Sequence, residues 1–62
     1  MNKSYQIKKI MNLNGKKLHV ILLNSDNEVF ETVNFDEVSK LCKLLNTNTD
    51  SGWRYEIITI TN

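Results

Sequence analysis

The sequence predicts an α+β fold: a four-stranded, mostly antiparallel sheet in the order β-β-β-α-β, with one helix packed on one face. Three observations lead there. Asn34–Asn46 carries Phe35, Val38, Leu41, Cys42 and Leu45 at three- and four-residue steps, which places them in one stripe on a helix. Asn14-Gly15 separates two strand-like runs and is the strongest short hairpin signal, because both central residues of a type I′ turn need positive φ. Trp53 to Thr61 is rich in aromatic and β-branched residues, as strands are.

In chain order, residues 1–4 read as a frayed start, and Tyr5 to Asn12 as the first strand. After the Asn14-Gly15 turn, Lys17 to Asn24 is the second strand, whose continuous apolar run predicts an interior position with both faces partly covered. A Ser25-Asp26-Asn27 loop returns the chain as a third strand, Glu28 to Val33. The helix follows, with Asn34 as its cap and Glu37 reaching back in a capping box. Asp36 and Glu37 near its start and Lys40 and Lys43 nearer its end suit the helix dipole, and Asn46 is placed to end it in a left-handed conformation. A polar loop, residues 46–52, leads to the last strand, expected to run parallel to the first or third. A right-handed crossover is expected if it lies beside the third.

A two-residue turn at Asn14-Gly15 pairs Leu13 with Lys16, Met11 with Leu18, Lys9 with Val20 and Ile7 with Leu22. One face then holds Tyr5, Ile7, Met11, Leu18, Val20 and Leu22 with Lys9 as its only charge, and Phe30 falls opposite Leu22. This is the expected seat of the helix. The other face holds Gln6, Lys8, Ile10, His19, Ile21, Leu23, Val29 and Glu31, joined by either Tyr55 and Ile57 or Ile58 and Ile60 of the last strand. One helix cannot cover both sides. Ile10, Ile21, Leu23 and Val29 are therefore expected to form an exposed apolar patch rimmed by Lys8, His19 and Glu31, of the kind that marks an interaction surface.

Sixty-two residues make a single small domain spanning 1–62, with limited interior and no disulfide, since Cys42 is its only cysteine. No apolar run reaches the roughly 20 residues of a membrane span and no leader pattern stands at the start, so the cytoplasm is the expected compartment. Net charge is +1, which exerts no general pull on nucleic acid. The charges are nevertheless segregated: Lys3, Lys8, Lys9, Lys16 and Lys17 precede any acid, and Asp26, Glu28, Glu31, Asp36 and Glu37 follow with no base among them. Such a surface can orient a partner or a second copy.

Candidate chemistry is sparse. His19 has no cysteine or carboxylate at ligand spacing and reads as a rim histidine; a nucleophilic pair with Cys42 would need both in one cleft. Cys42 itself sits on the apolar stripe as a small hydrophobe. Asn46-x-Asn48-x-Asp50 is similar in spacing to the oxygen ligands of a calcium loop. Its glycine comes one position late, however, and Ile57 stands where a bidentate Glu is needed. No cofactor or metal is expected, and no enzymatic activity.

The leading expectation is a protein-interaction module, a homodimer or the partner of another protein, binding through Ile10, His19, Ile21, Leu23 and Val29. The alternative is a small nucleic-acid-binding protein in which Trp53 and Tyr55 stack bases while Lys8, Lys16, Lys17 and Arg54 contact phosphates. At Leu22-Leu23-Asn24-Ser25-Asp26-Asn27-Glu28-Val29, and again from Leu45 through Asn46-Thr47-Asn48 to Trp53-Arg54-Tyr55-Glu56-Ile57, the chain resembles small phage and marine-bacterial proteins. In these a hairpin, a helix and an asparagine-rich loop precede a final strand. That resemblance implies an origin and assigns no activity. The strands-then-helix portion also looks distantly like the arm-binding domain of phage integrases, which implies DNA contact; this chain departs from it in its near-neutral charge and extra strand.

Overall fold

The computed structural model describes residues 2–48 and 53–61. Its elements are β1 (Lys3–Leu13), β2 (Lys16–Ile21), α1 (Phe35–Thr47) and β3 (Trp53–Thr61). They form an α+β arrangement with a three-stranded antiparallel sheet in the order β2-β1-β3. None of the described helices is long and apolar enough to cross a membrane.

The hairpin follows its turn chemistry. Asn14 and Gly15 take φ of 52° and 82°, and Leu13↔Lys16, Met11↔Leu18 and Lys9↔Val20 pair as the two-residue turn requires. Ile7 and Leu22 still meet through one bond, Leu22 N–H to Ile7 C=O at 2.8 Å. There β2 leaves β1, because the Leu22 carbonyl instead accepts from Phe30 N–H at 2.9 Å.

This departure removes the fourth strand. Glu28–Val33 forms two isolated bridges, Val29 with Leu23 and Thr32 with Tyr5. The loop between them is the expected one: Asn27 takes φ of 62°, and the Asn24 side chain accepts from Asp26 and Glu28 N–H at 2.8 and 3.1 Å. After Phe30 the chain crosses to β1, where Tyr5 and Thr32 exchange both backbone bonds at 2.7 and 3.0 Å. Thr32 thus fills the β1 edge that β2 vacated, and β2 gains no outer neighbour. The expected interior position of the second strand is overturned: β1 is the central strand, and every residue of β2 is exposed.

The last strand also differs from expectation. β3 runs antiparallel to β1, from Lys3↔Thr61 to Met11↔Trp53, and joins the edge that β2 does not use. The chain has already turned between Phe30 and Thr32, so at Thr32 it runs antiparallel to β1, the same sense that β3 takes. Neither a parallel pairing nor a crossover beside a third strand arises.

α1 begins as its sequence directs, with Asn34 Oδ1 accepting from Glu37 N–H at 3.1 Å. The return half of the capping box goes elsewhere: Asn34 N–H donates to Thr32 Oγ1 at 3.1 Å. The helix runs through Asn46 to Thr47, and its C-cap, Asn48, has φ of −103°, so no left-handed asparagine ends it. Val38 and Cys42 close on Ile7, and Tyr5, Leu22, Phe30, Leu41, Leu45, Tyr55 and Ile57 pack around these three. Tyr5 and Phe35 add an edge-to-face ring pair with centroids 5.3 Å apart.

Candidate interaction surface

Strand alternation and register sort the sheet into two faces. The Ile7 face continues through Lys9, Met11 and Leu13 on β1, Leu18 and Val20 on β2, and Trp53, Tyr55 and Ile57 on β3. The Ile10 face holds Ser4, Gln6, Lys8 and Asn12 on β1, Lys17, His19 and Ile21 on β2, and Arg54, Glu56, Ile58 and Ile60 on β3. The open choice for the last strand is thereby resolved: Tyr55 and Ile57 join the core, and Ile58 and Ile60 stand on the Ile10 face.

The expected patch survives in part. Ile21, Leu23 and Val29 are exposed, the latter two at 51% and 46%. Ile10 is not, at 6%, which removes it from the surface that a partner could reach. It lies on the central strand, with the long side chains of His19 and Arg54 on its register neighbours. Charge crosses the same face: Glu56 lies 3.1 Å from Arg54 and 3.9 Å from Lys8. At the rim, Gln6 donates to Glu31 at 2.8 Å. That bond holds the Glu31 carboxyl below its ordinary range. The Ser4 Oγ is buried with no acceptor at hydrogen-bond geometry.

A second apolar surface, not anticipated from the sequence, lies on the Ile7 face. Leu13, Leu18, Val20 and Trp53 are all exposed there. Thirteen helical residues span roughly 20 Å at ~1.5 Å each, and the eleven of β1 roughly 37 Å at ~3.4 Å each. α1 meets β1 and β3 and does not approach β2. The hairpin end therefore extends beyond the helix. Comparing the predicted helix length with the predicted hairpin length is the signal that could have revealed it.

The nucleic-acid alternative is only partly assembled. Tyr55 is half-buried and packs against the core cluster. Lys16 pairs with Leu13 beside the turn, on the Ile7 face, and Lys8 leans on Glu56 on the other. Lys17 and Arg54 do line one shallow pocket of about 300 Å³ with Ile10, Asn12 and Trp53, although the Trp53 ring belongs to the Ile7 face. The Trp53 ring already has a cation, Lys9 Nζ, 3.6 Å from its centroid.

His19 and Cys42 are not brought into one cleft: His19 stands on β2 on the Ile10 face, whereas Cys42 belongs to the Ile7 cluster. Burial, and then the charge of Glu56, push the Cys42 thiol above its ordinary range, which suppresses the thiolate a nucleophile needs. Its Sγ instead donates to the Tyr55 carbonyl at 3.4 Å. No cluster of three metal-ligating side chains occurs among the described residues. Asp50 of the calcium-like spacing lies outside them, and the Asn46 amide is engaged with Tyr55. Comparison with known families, with curated proteins and with solved structures gave no match.

Proposed function

We propose that this chain is a non-enzymatic protein-interaction module of the cytoplasm that self-associates through sheet surface left uncovered by its single helix. On this reading α1 shields part of one face, and the exposed Ile21, Leu23 and Val29 on the other serve as partner contacts, with His19 at their margin. The observation that carries it is surface area. A folded monomer of 7.2 kDa is expected to expose about 4,100 Å². This chain exposes 4771 Å², an excess of about 650 Å², and Leu18, Val20, Ile21, Leu23 and Val29 are among its exposed side chains. Each partner of a standard interface buries roughly 800 Å², so the excess is of the size that one association would remove. An origin among small phage and marine-bacterial proteins belongs to the same proposal.

Sedimentation equilibrium at high micromolar concentration tests it. The expected result is a dimer that Ile21→Glu dissociates while leaving the circular dichroism spectrum intact. A strict monomer at that concentration overturns the reading, and an unfolded variant would place Ile21 in the core instead. A second reading, anion or nucleic-acid binding, draws on the pocket where Lys17 and Arg54 meet Trp53. It expects salt-sensitive retention of RNA or DNA, weakened by Lys17→Ala and Arg54→Ala.

A further inference from the structure

β2 is an edge strand whose outer side has no partner among the described residues. The bond from Leu22 N–H to Ile7 C=O fixes the alternation: Lys16, Leu18, Val20 and Leu22 direct their backbone groups toward β1. Lys17, His19 and Ile21 therefore direct theirs outward. No hydrogen bond reaches these outward groups from any described residue. Usual protections of an edge, such as proline, a bulge or a covering loop, are missing from this strand among the described residues, and only Lys16 and Lys17 remain as gatekeepers.

We propose that the second copy docks on this edge, β2 against β2 in antiparallel sense about a two-fold axis at His19, making a continuous six-stranded sheet. The inference rests on the reading of the chain as self-associating, and it moves the contact from the sheet face of Leu23 and Val29 to the edge of β2, in a stated register. Of the two-fold registers open to residues 16–21, the one centred on His19 pairs the most outward groups. It sets His19 opposite His19 of the second copy and Lys17 opposite Ile21, so all three outward residues of each copy bond across the junction.

Side chains agree with that register on both faces. Leu18 falls opposite Val20 twice over, gathering four exposed apolar residues on the Ile7 face at the place α1 does not reach. On the Ile10 face the Lys17 stem lies along Ile21, and no lysine faces another. The segregated charges fit too. The Lys16–Lys17 end of one copy approaches the loop that carries Asp26 and Glu28 of the other, because that loop follows β2 directly.

His19→Pro tests the edge. It removes an outward N–H and leaves the bonds to β1 untouched, a position where an edge strand tolerates proline. Val29→Glu tests the sheet face and spares the edge. Sedimentation equilibrium should show a wild-type dimer, a dissociation constant at least tenfold weaker in His19→Pro, and little change in Val29→Glu. Amide exchange guards against a folding defect in the proline variant. In the wild type, the Lys17, His19 and Ile21 amides should slow at least tenfold as concentration rises through the dimer transition.

A dimer that survives His19→Pro but not Val29→Glu overturns the edge and leaves the face reading standing. So does a dimer whose three outward amides exchange at a concentration-independent rate. A wild-type chain that stays monomeric overturns both.

Discussion

An asparagine side chain carries the same donor and acceptor as a peptide group, and Asn46 spends both on the backbone of Tyr55. Its Oδ1 accepts from Tyr55 N–H at 2.8 Å and its Nδ2 donates to Tyr55 C=O at 3.0 Å, so one side chain substitutes for a short length of neighbouring strand on the open edge of β3. The Cys42 thiol shares that carbonyl. The last turns of α1 are thus fastened to β3 by hydrogen bonds as well as by packing. Asn46→Ala removes two bonds at an exposed site where water can partly replace them, so urea unfolding should show a loss of about 1–2 kcal/mol. An unchanged midpoint would mean that the pair contributes nothing. Spacing alone made Asn46 a helix terminator, because a side chain's reach to a strand nine residues later is invisible until the two elements are docked.

At the scale of elements, the local signals were legible. Asn14-Gly15 set the hairpin and its register, Asn34 set the helix start, and the Ser25-Asp26-Asn27 loop put Phe30 across from Leu22. Gly15 holds its place through backbone conformation: at φ of 82° an added Cβ meets no atom within 4 Å, so the only obstacle is the left-handed conformation itself. Gly15→Ala should therefore destabilise the fold by about 1–2 kcal/mol, read by chemical denaturation. A cost near zero would show that the turn relaxes to another type. Glu28–Val33 was not legible as two bridges. Its alternation suits a strand, but whether a strand forms depends on Leu22 giving its carbonyl to Phe30, a tertiary competition for one acceptor.

The whole molecule is long for its size. Its radius of gyration is 12.2 Å, against about 10.6 Å for a compact domain of this length, and it extends 40 Å along its longest axis. Among the described residues only Ile7 and Val38 are fully buried. Total stability for 62 residues is expected at about 3–9 kcal/mol. Ile7→Ala should remove about 2–5 kcal/mol of it, leaving a chain largely unfolded near 40 °C by circular dichroism. Leu18→Ala, at the bare hairpin end, should move the monomer's stability by no more than about 0.5 kcal/mol. It should, however, lower the melting temperature at concentrations where copies associate, since binding stabilises the folded state by mass action. Equal losses for the two variants would mean the hairpin end belongs to the core.

Features that depend on neighbours a few residues apart could be read from the chain directly: the turn, the pairing of the hairpin, the capped helix and the sorting of side chains onto two faces. These follow from φ preferences and from periodicities of two and 3.6 residues, which any short segment carries within itself. The packed fold alone reveals that β1 is central, that β3 takes its free edge antiparallel, that Ile10 is covered and that Leu18 and Val20 are bare. Each of these is the outcome of segments competing for one strand's edge and of a helix shorter than the sheet beneath it, and such competition has no signature in a local pattern of residues.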